Sequence, residues 1–199
     1  MARATKAESA ATAARVLLTA RRLFTEHGYA GVGLEEVATQ SGVTRGAIYH
    51  HFGSKIGLFE AVLAEVQRSV ASAIERETGP LADPWDQLET GCQVFLAASV
   101  EEDTRRIMLI DAPAVLGWNA WREQDAASSG RLLEDVLGTL AGNGELAPTS
   151  LPAASVLLSG AMNEAALWVA GADDPLAARE QAWVVLRRML VALRSPETG

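Results

Sequence analysis

The 199-residue chain is 49 % hydrophobic and carries 17 lysines and arginines against 25 acidic residues, for a net charge of −8. This apolar content is sufficient for a packed core, which excludes a disordered chain. No apolar run approaches the roughly 18 residues of a membrane span, and no signal peptide follows the N-terminus. We therefore expect a globular cytoplasmic protein without a membrane partner.

The charges are unevenly distributed along the chain. Residues 1–60 hold seven basic residues against five acidic ones, whereas the remainder holds ten arginines against twenty acids. The first part therefore carries a charge of +2 and the second a charge of −10. A mildly basic end on an acidic body suits a protein that presents only that end to the phosphates of a nucleic acid.

Apolar residues recur at helical spacing in the first part of the chain. The pattern predicts a helix that ends at Gly28, followed by a short second helix around Leu34–Ala38. After a turn at Gly42, a third helix carries Ile48 and Phe52 on its inner side. Three helices, the second of them short, are therefore expected before a long fourth one.

That long fourth helix is predicted over 54–78, with Ser54 as its N-cap and Gly79-Pro80 after its end. Beyond it the sequence has only helical periodicity and no alternating strand pattern. The approximate spans of the later helices are 84–100, 102–112 stopped by Pro113, 117–142, 151–171 and 175–194. The predicted fold class is therefore all-α.

We divide the chain into two domains at residue 53. Residues 1–53 hold the first three helices behind an N-terminal arm, 1–12, that is either mobile or a frayed helix start. Residues 54–199 form a larger helical domain. The helix over 54–78 belongs to the second domain and connects it to the first.

The strongest local signal lies in the stretch 34–52. Two helices that cross steeply through a short turn need a small residue at their contact, a glycine in the turn, and apolar residues that hold the second helix. Ala38 and Gly42 meet the first two needs. Val43 and Ile48 meet the third, so the spacing indicates a helix-turn-helix.

The flanking residues make this interpretation more specific. Gly28-Tyr29 precedes the unit, Ala47-Ile48-Tyr49-His50-His51-Phe52 completes it, and Ser54-Lys55 and Leu58-Phe59 follow it. With these flanks, residues 13–63 resemble the DNA-binding domain of the TetR family. The resemblance implies a three-helix DNA-binding domain followed by a helical domain for ligand binding and dimerisation. It further implies a homodimeric repressor that leaves a palindromic operator in double-stranded DNA when a small-molecule effector binds.

The resemblance also assigns the residues that contact DNA. A capped helix N-terminus directs backbone N–H groups at phosphate, and the first turn of the recognition helix enters the major groove. An arginine there can donate two hydrogen bonds to guanine, and an alanine can touch a thymine methyl. The predicted DNA-binding residues are Thr44, Arg45, Gly46, Ala47, Tyr49, His50 and Lys55.

Two positions depart from the family pattern. Gly33 stands where a serine or threonine commonly precedes the second helix, so one cap and one phosphate contact are expected to be missing. Ile56-Gly57 replaces the acidic residue often found after Ser-Lys, so the fourth helix is expected to lack a capping box.

The last helix carries apolar residues on two faces, which requires a neighbour on each side. One neighbour is its own domain, and we assign the other to the same surface of a second subunit, together with the helix over 151–171. A helix that is simply buried in its own domain is the alternative. The predicted interface residues are Leu157, Ala161, Ala165, Trp183, Leu186 and Leu190.

The effector pocket is predicted around the segment 105–113 and the tryptophans of the acidic domain. Aromatic rings and methionine mixed with a few polar groups are typical of small-molecule sites. Each of these residues can also belong to the core or to an interface. The predicted pocket residues are Trp85, Arg106, Met108, Asp111, Trp118, Trp121, Asn163, Glu164 and Trp168.

Two other classes of function are weighed against this one. An enzyme would need a nucleophile with a base, a carboxylate pair or a metal set, and no such set stands out. His50 and His51 diverge by about 100° on a helix and do not form a metal site, so neither a metal nor a cofactor is predicted. The second alternative, a protein-interaction module with a vestigial helix-turn-helix, is suggested by Gly33.

Overall fold

The computed structural model describes residues 6–147 and 150–195. These residues form helices and connecting turns, with one isolated bridge between Leu146 and Arg194, which confirms the all-α prediction. The helices are α1 (Lys6–Gly31), α2 (Leu34–Ser41), α3 (Arg45–Phe52), α4 (Lys55–Thr78), α5 (Pro84–Ser99), α6 (Glu102–Thr104), a π-helix (Arg105–Asp111), α7 (Ala112–Leu116), α8 (Trp118–Ala126), α9 (Ser129–Gly142), α10 (Leu151–Ala170) and α11 (Pro175–Val191). We call α1–α3 the head and α4–α11 the body.

The predicted N-terminal arm is helical where the structure describes it, as expected for the alternative of a helix start. Residues 6–12 belong to α1, and residues 1–5 lie outside the described residues. The predicted end of the first helix at Gly28 corresponds to a break, because its backbone (φ 68°, ψ 168°) is not helical. Glycine adopts a positive φ without the strain that a side chain would cause. Tyr29–Gly31 then form one further turn.

An aromatic cluster holds the head against the start of α4. Phe24 and Phe59 are fully buried, with ring centroids 5.3 Å apart. The ring of Tyr29 lies 5.1 Å from that of Phe59, edge to face. Ile48 of α3 is fully buried in the same core. Aromatic pairs stabilise this core beyond the burial of apolar area alone. Ile48 anchors α3 to the core, so the opposite side of α3 faces solvent.

The body packs around α4, α5, α9 and α10, and two of its predicted helices are interrupted. The span 102–112 contains a π-helix, in which the Ala112 N–H donates to the Ile107 carbonyl five residues earlier. Pro113 lies in the first turn of α7 rather than ending a helix, because its missing N–H needs no partner there. The span 117–142 is broken at Ala127-Ser128, where Ser128 leaves helical geometry and its hydroxyl donates to the Gln67 carbonyl of α4 (3.3 Å).

Among the described residues, α10 alone is long and apolar enough to cross a membrane by length and composition. One side of this helix, with Leu158, Met162 and Ala166, is buried in the core of the body. A core helix of a globular protein has this same composition, so the length of α10 does not indicate a membrane span.

Candidate nucleic-acid interface and effector cavity

The turn between α2 and α3 sets the angle of the helix-turn-helix. Gly42 ends α2 in the left-handed conformation (φ 67°, ψ 35°), and the Val43 N–H donates to the Ala38 carbonyl (3.1 Å). Thr44 is the N-cap of α3, where its hydroxyl accepts a hydrogen bond from the Ala47 N–H (3.2 Å). The predicted turn and cap are therefore both confirmed, and they point the start of α3 into solvent.

The two sides of α3 differ in exposure, as the sequence predicts. Ile48 is fully buried and Phe52 is half-buried against the core. The opposite side is exposed at the predicted DNA-contact positions, except that Ala47 is half-buried. These exposed residues are Thr44, Arg45, Gly46, Tyr49 and His50. Their contact with DNA stays a prediction.

Arg45 lies along the exposed side of α3 and is oriented by its neighbours. Its Nη2 donates to the Tyr49 hydroxyl (3.2 Å), and its guanidinium lies 5.4 Å from the centroid of that ring. The hydrogen bond to Tyr49 raises the pKa of Arg45. Glu35 of α2 approaches the guanidinium at 3.9 Å. Tyr49 therefore positions the one arginine of the recognition helix from one turn away.

Lys55 begins α4 close to the end of α3. Its ammonium lies 4.2 Å from the centroid of the Tyr29 ring, where a cation–π contact is favourable. Partial burial lowers the pKa of Lys55. The Ser54 hydroxyl accepts from the Gly57 N–H (3.0 Å), which confirms the predicted N-cap. A Cβ at Gly57 would overlap the Phe52 carbonyl oxygen, so a glycine is required there.

A second group of contacts joins the head to the π-helix of the body. The Tyr29 N–H donates to Asp111 Oδ2 (2.7 Å), and Arg106 Nε lies 3.5 Å from the same oxygen. The Arg106 guanidinium covers Gly28 so closely that a Cβ there would overlap its Nη2. Further along α1, Arg21 forms an ion pair with Asp103 (2.5 Å). We call Gly28, Tyr29, Arg106 and Asp111 the junction.

The body contains a cavity of about 230 Å³ between α4, α5, α9 and α10, which is partly open to solvent. Its walls are largely apolar, and its polar end is formed by Asp125, Ser129 and Ser159. Burial raises the pKa of the Cys92 thiol, which lines the cavity, to about 12. The lining residues are Ile74, Thr78, Gln87, Leu88, Gly91, Cys92, Phe95, Asp125, Ser129, Gly130, Leu132, Leu133, Asp135, Val136, Thr139, Ser159 and Met162.

Comparison with known proteins identifies the architecture built from these parts. Residues 16–62 match the family described as bacterial regulatory proteins, tetR family, and residues 85–193 match the tetracyclin repressor-like C-terminal domain. The chain belongs to the TetR family. The family prediction is therefore confirmed, and TetR-family proteins are DNA-binding transcription regulators rather than enzymes.

Individual TetR-family relatives agree with this assignment. AcrR of Shigella flexneri is 34 % identical over 110 residues, covering 55 % of this chain and 51 % of that protein. TtgR of Pseudomonas putida is 36 % identical over 118 residues, covering 54 % and 52 %. The chain thus spans about half the length of the curated relatives it matches. The crystal structure of a TetR-family regulator from Pectobacterium atrosepticum, 31 % identical, superposes with a TM-score of 0.81 over 97 % of this chain and 99 % of that one.

The departure from the TetR pattern at Gly33 has the predicted structural consequence. Gly33 is the N-cap of α2, and no side chain caps the helix there. Two acidic residues in the first turn of α2, Glu35 and Glu36, lie where negative charge stabilises a helix N-terminus. α2 is therefore formed without the hydroxyl cap that is common in TetR-family proteins.

The predicted effector residues do not line the cavity, and two of them belong to the junction instead. Arg106 and Asp111 contact the head because the π-helix packs against α1. Met108 and Trp121 are core residues, joined by a hydrogen bond from the indole N–H to the Met108 carbonyl (2.8 Å). Trp85 is buried beneath the Arg194 guanidinium, which lies 4.6 Å from its ring.

The remaining predicted pocket residues lie on α8 and α10. Trp118, Glu164 and Trp168 are exposed on the surface of the protomer. Asn163 is buried behind the cavity, where its Nδ2 donates to Asp125 Oδ2 (3.1 Å). Aromatic composition therefore did not locate this cavity, and Asp125, which is not among the predicted residues, lies at its polar end. A sequence signal for this site does exist close to Asp125. Ser128-Ser129-Gly130 has low helix propensity and lies where the predicted helix 117–142 is broken.

The predicted interface on α10 and α11 needs one correction. Leu186 and Leu190 are buried within the protomer, so their side chains cannot face a partner. Trp183, Ala161 and Ala165 are half-buried, and Leu157 is 70 % exposed. The error arises because α11 has two apolar stripes, and the one assigned to the partner is the one that faces the core. The exposed apolar residues of the two helices are Val156, Leu157, Leu167, Trp168, Leu176, Val184, Val185, Met189 and Val191.

Proposed function

We propose that this TetR-family chain is a cytoplasmic, homodimeric repressor that binds a palindromic DNA operator and releases it when a small molecule occupies the body. The observation that carries the proposal is the recognition helix, α3. Its inner side is locked by Ile48, while its capped N-terminus and Arg45 project into solvent. This is the arrangement that a helix needs to enter a major groove with its first turn.

Dimerisation is supported by the exposed apolar surface of α10 and α11. Leu157 is 70 % exposed and Trp168 52 %, and Val185 and Met189 are exposed on the neighbouring helix. Large apolar side chains grouped on one surface favour an interface with a second copy. A twofold axis there places two copies of α3 to bind successive major grooves of a palindrome.

The connection from the cavity to the DNA surface runs along α4. Ile74 and Thr78 line the cavity at one end of α4, and Lys55 lies at the other end. A helix of 24 residues spans about 36 Å, so a small tilt at the cavity moves the far end appreciably. An effector that prefers the tilted conformation by about 1.4 kcal/mol can lower operator affinity up to tenfold.

A fluorescence anisotropy titration with DNA from upstream of the protein's own gene tests the proposal. We expect specific binding that weakens steeply with salt, because Arg45 and Lys55 displace counterions. Lys55→Ala should reduce the salt slope by about one for each subunit. Arg76→Ala, at the opposite end of the same helix, is the control and should leave the slope unchanged.

Two outcomes would contradict parts of this proposal. If the protein binds this DNA no more tightly than an unrelated duplex, the alternative of an interaction module with a vestigial helix-turn-helix is favoured. The missing side-chain cap at Gly33 is consistent with that alternative. If the protein sediments as a monomer at micromolar concentration, the proposal that it is a homodimer is contradicted.

A further inference from the structure

The lining of the cavity in the body indicates the chemistry of the ligand that it binds. This inference rests on the proposed function, in which the cavity is the effector site. We propose that the cavity binds a small ring compound bearing a hydrogen-bond donor, either a neutral hydroxyl or a protonated amine, and that it rejects carboxylates. Three properties of the lining support this: its size, its charge, and the direction of its hydrogen bonds.

The size and walls of the cavity suit one or two rings. Its volume is about 230 Å³. An apolar protein cavity of about 150 Å³ is known to hold benzene, so a substituted ring fits here. Leu88, Phe95, Leu133 and Met162 supply apolar surface on three different helices. The body of the ligand is therefore apolar, and specificity depends on the few polar groups.

The charge of the lining excludes an anionic ligand. The buried Asp125 lines the cavity, as does Asp135, which is exposed and paired with Arg131. No lysine, arginine or histidine is among the described lining residues. The nearest cation to the buried Asp125 carboxylate is Arg122 at 3.9 Å, which is already engaged with it. A carboxylate in this site would lose its hydration without gaining a cationic partner.

The hydroxyls at the polar end point their hydrogens away from the ligand space. Asp125 is 3 % exposed, and its two oxygens accept from Ser129 (3.4 Å) and Ser159 (3.1 Å). A hydroxyl has one hydrogen, so a serine that donates it to Asp125 retains only lone pairs for another partner. Asp125 thus leaves both serines as acceptors, although Ser159 already accepts one hydrogen bond from Arg122 Nη1 (3.5 Å) and keeps one lone pair for a ligand.

The other polar groups of the lining act in the same direction. The hydroxyls of Thr78 and Thr139 each donate to a backbone carbonyl one turn earlier (2.9 and 3.0 Å). Gln87 gives one of its two amide hydrogens to the Leu81 carbonyl (2.7 Å). The cavity therefore offers mainly acceptors, and a ligand donor is the group that satisfies them.

Isothermal titration calorimetry on the full-length protein tests this with four matched probes: 4-propylphenol, 4-propylbenzylamine, 4-propylanisole and 4-propylbenzoate. We expect the phenol and the amine to bind at least tenfold more tightly than the anisole, and the benzoate not to bind. Benzoate binding as tight as that of the phenol would overturn the inference. So would equal affinity of phenol and anisole, or failure of all four to bind.

Variants then locate the preference within the cavity. Asp125→Asn replaces an acceptor oxygen by an amide donor, so we expect the phenol-to-anisole ratio to fall below threefold. Glu89→Gln removes the same charge from α5 outside the lining and should leave the ratio unchanged. If Asp125→Asn fails to fold by circular dichroism, Ser159→Ala provides the second test, because it removes one acceptor and keeps the carboxylate. If a folded variant keeps the wild-type ratio of phenol affinity to anisole affinity, the inference is contradicted.

The location and the regulatory role are tested separately. Cys92→Phe fills the cavity and should abolish binding of every probe while operator binding persists. Probe binding that survives in this variant would place the site elsewhere and overturn the inference. If the expected probes bind without releasing operator DNA, the effector part of the proposed function fails while the ligand chemistry stands. If an anionic compound enters the cavity and releases DNA, the ligand chemistry fails and the regulatory function stands.

Discussion

The head and the body are both helical, but their structures depend on contacts of different range along the chain. In the head and at its boundary with α4, Gly42, Thr44 and Ser54 each act on a residue within four positions, through a turn or a helix cap. In the body, Asp125 binds Ser159, 34 residues away, and Arg187 binds Glu89 across 98 residues.

This difference explains why the two regions yield different information from sequence. A motif built from local hydrogen bonds has fixed spacing, so the order of its residues is enough to recognise it. A cavity is created where helices from distant parts of the chain fail to fill the space between them, and no local pattern records that. The head and the body should therefore respond differently to matched substitutions.

The largest effect is expected where a body helix has two apolar stripes. Leu190 is fully buried, so Leu190→Glu should lower the free energy of unfolding by about 3–5 kcal/mol because it buries a charge without a partner. Met189→Glu, at the exposed neighbouring position, should leave the protomer folded and dissociate the dimer. Chemical denaturation and analytical ultracentrifugation separate the two results. Equal unfolding by both variants would show that α11 is buried on both faces within one protomer.

A smaller effect is expected from two glycines that differ in their surroundings, Gly46 in α3 and Gly57 in the first turn of α4. Gly57→Ala places a Cβ against the Phe52 carbonyl and should destabilise the protein by about 1–3 kcal/mol. Gly46→Ala meets nothing closer than 3.8 Å and should stabilise α3 slightly, because alanine favours a helix over glycine. Thermal unfolding of both variants measures the contrast. Similar melting temperatures would mean that the Phe52 backbone moves freely, and local packing would then not fix the head.

Arg45→Ala should affect DNA binding and leave stability unchanged. Losing its contact with a base is expected to weaken operator binding roughly 10- to 100-fold, since the side chain is exposed in the free protein. Arg131→Ala, an exposed arginine of the body, is the matched control and should bind normally. Anisotropy titrations give both affinities. Unchanged affinity for the Arg45 variant would remove this residue from operator recognition.

The smallest change is expected at the junction, where head and body meet. Asp111→Asn keeps the size of the side chain but replaces the charge-assisted hydrogen bond to the Tyr29 N–H by a neutral one, which costs about 1 kcal/mol. Hydrogen exchange at the Tyr29 amide should become roughly five- to tenfold faster. Asp135→Asn, an exposed carboxylate on α9, should not change that rate. An unaltered rate in the junction variant would mean that other contacts hold the head.

Sequence reasoning predicted the fold class, the helix-turn-helix and both caps, because Gly42, Thr44 and Ser54 act locally. It was less successful where one residue type fits several environments. Tryptophan suits a pocket wall, a core or a dimer surface, so Trp118, Trp121 and Trp168 were assigned together although their surroundings differ. The role of Arg106 depends on where the π-helix lies against α1, which no spacing in the sequence encodes.

The surroundings of Gly57 limit which residues this protein can accept at that position. The acidic residue often found after Ser-Lys in the family cannot be restored as Gly57→Glu alone, because any side chain there meets the Phe52 carbonyl. The end of the recognition helix and the start of α4 must therefore change together. A family consensus residue at position 57 therefore requires the backbone at Phe52 to move, which a substitution at position 57 alone does not provide.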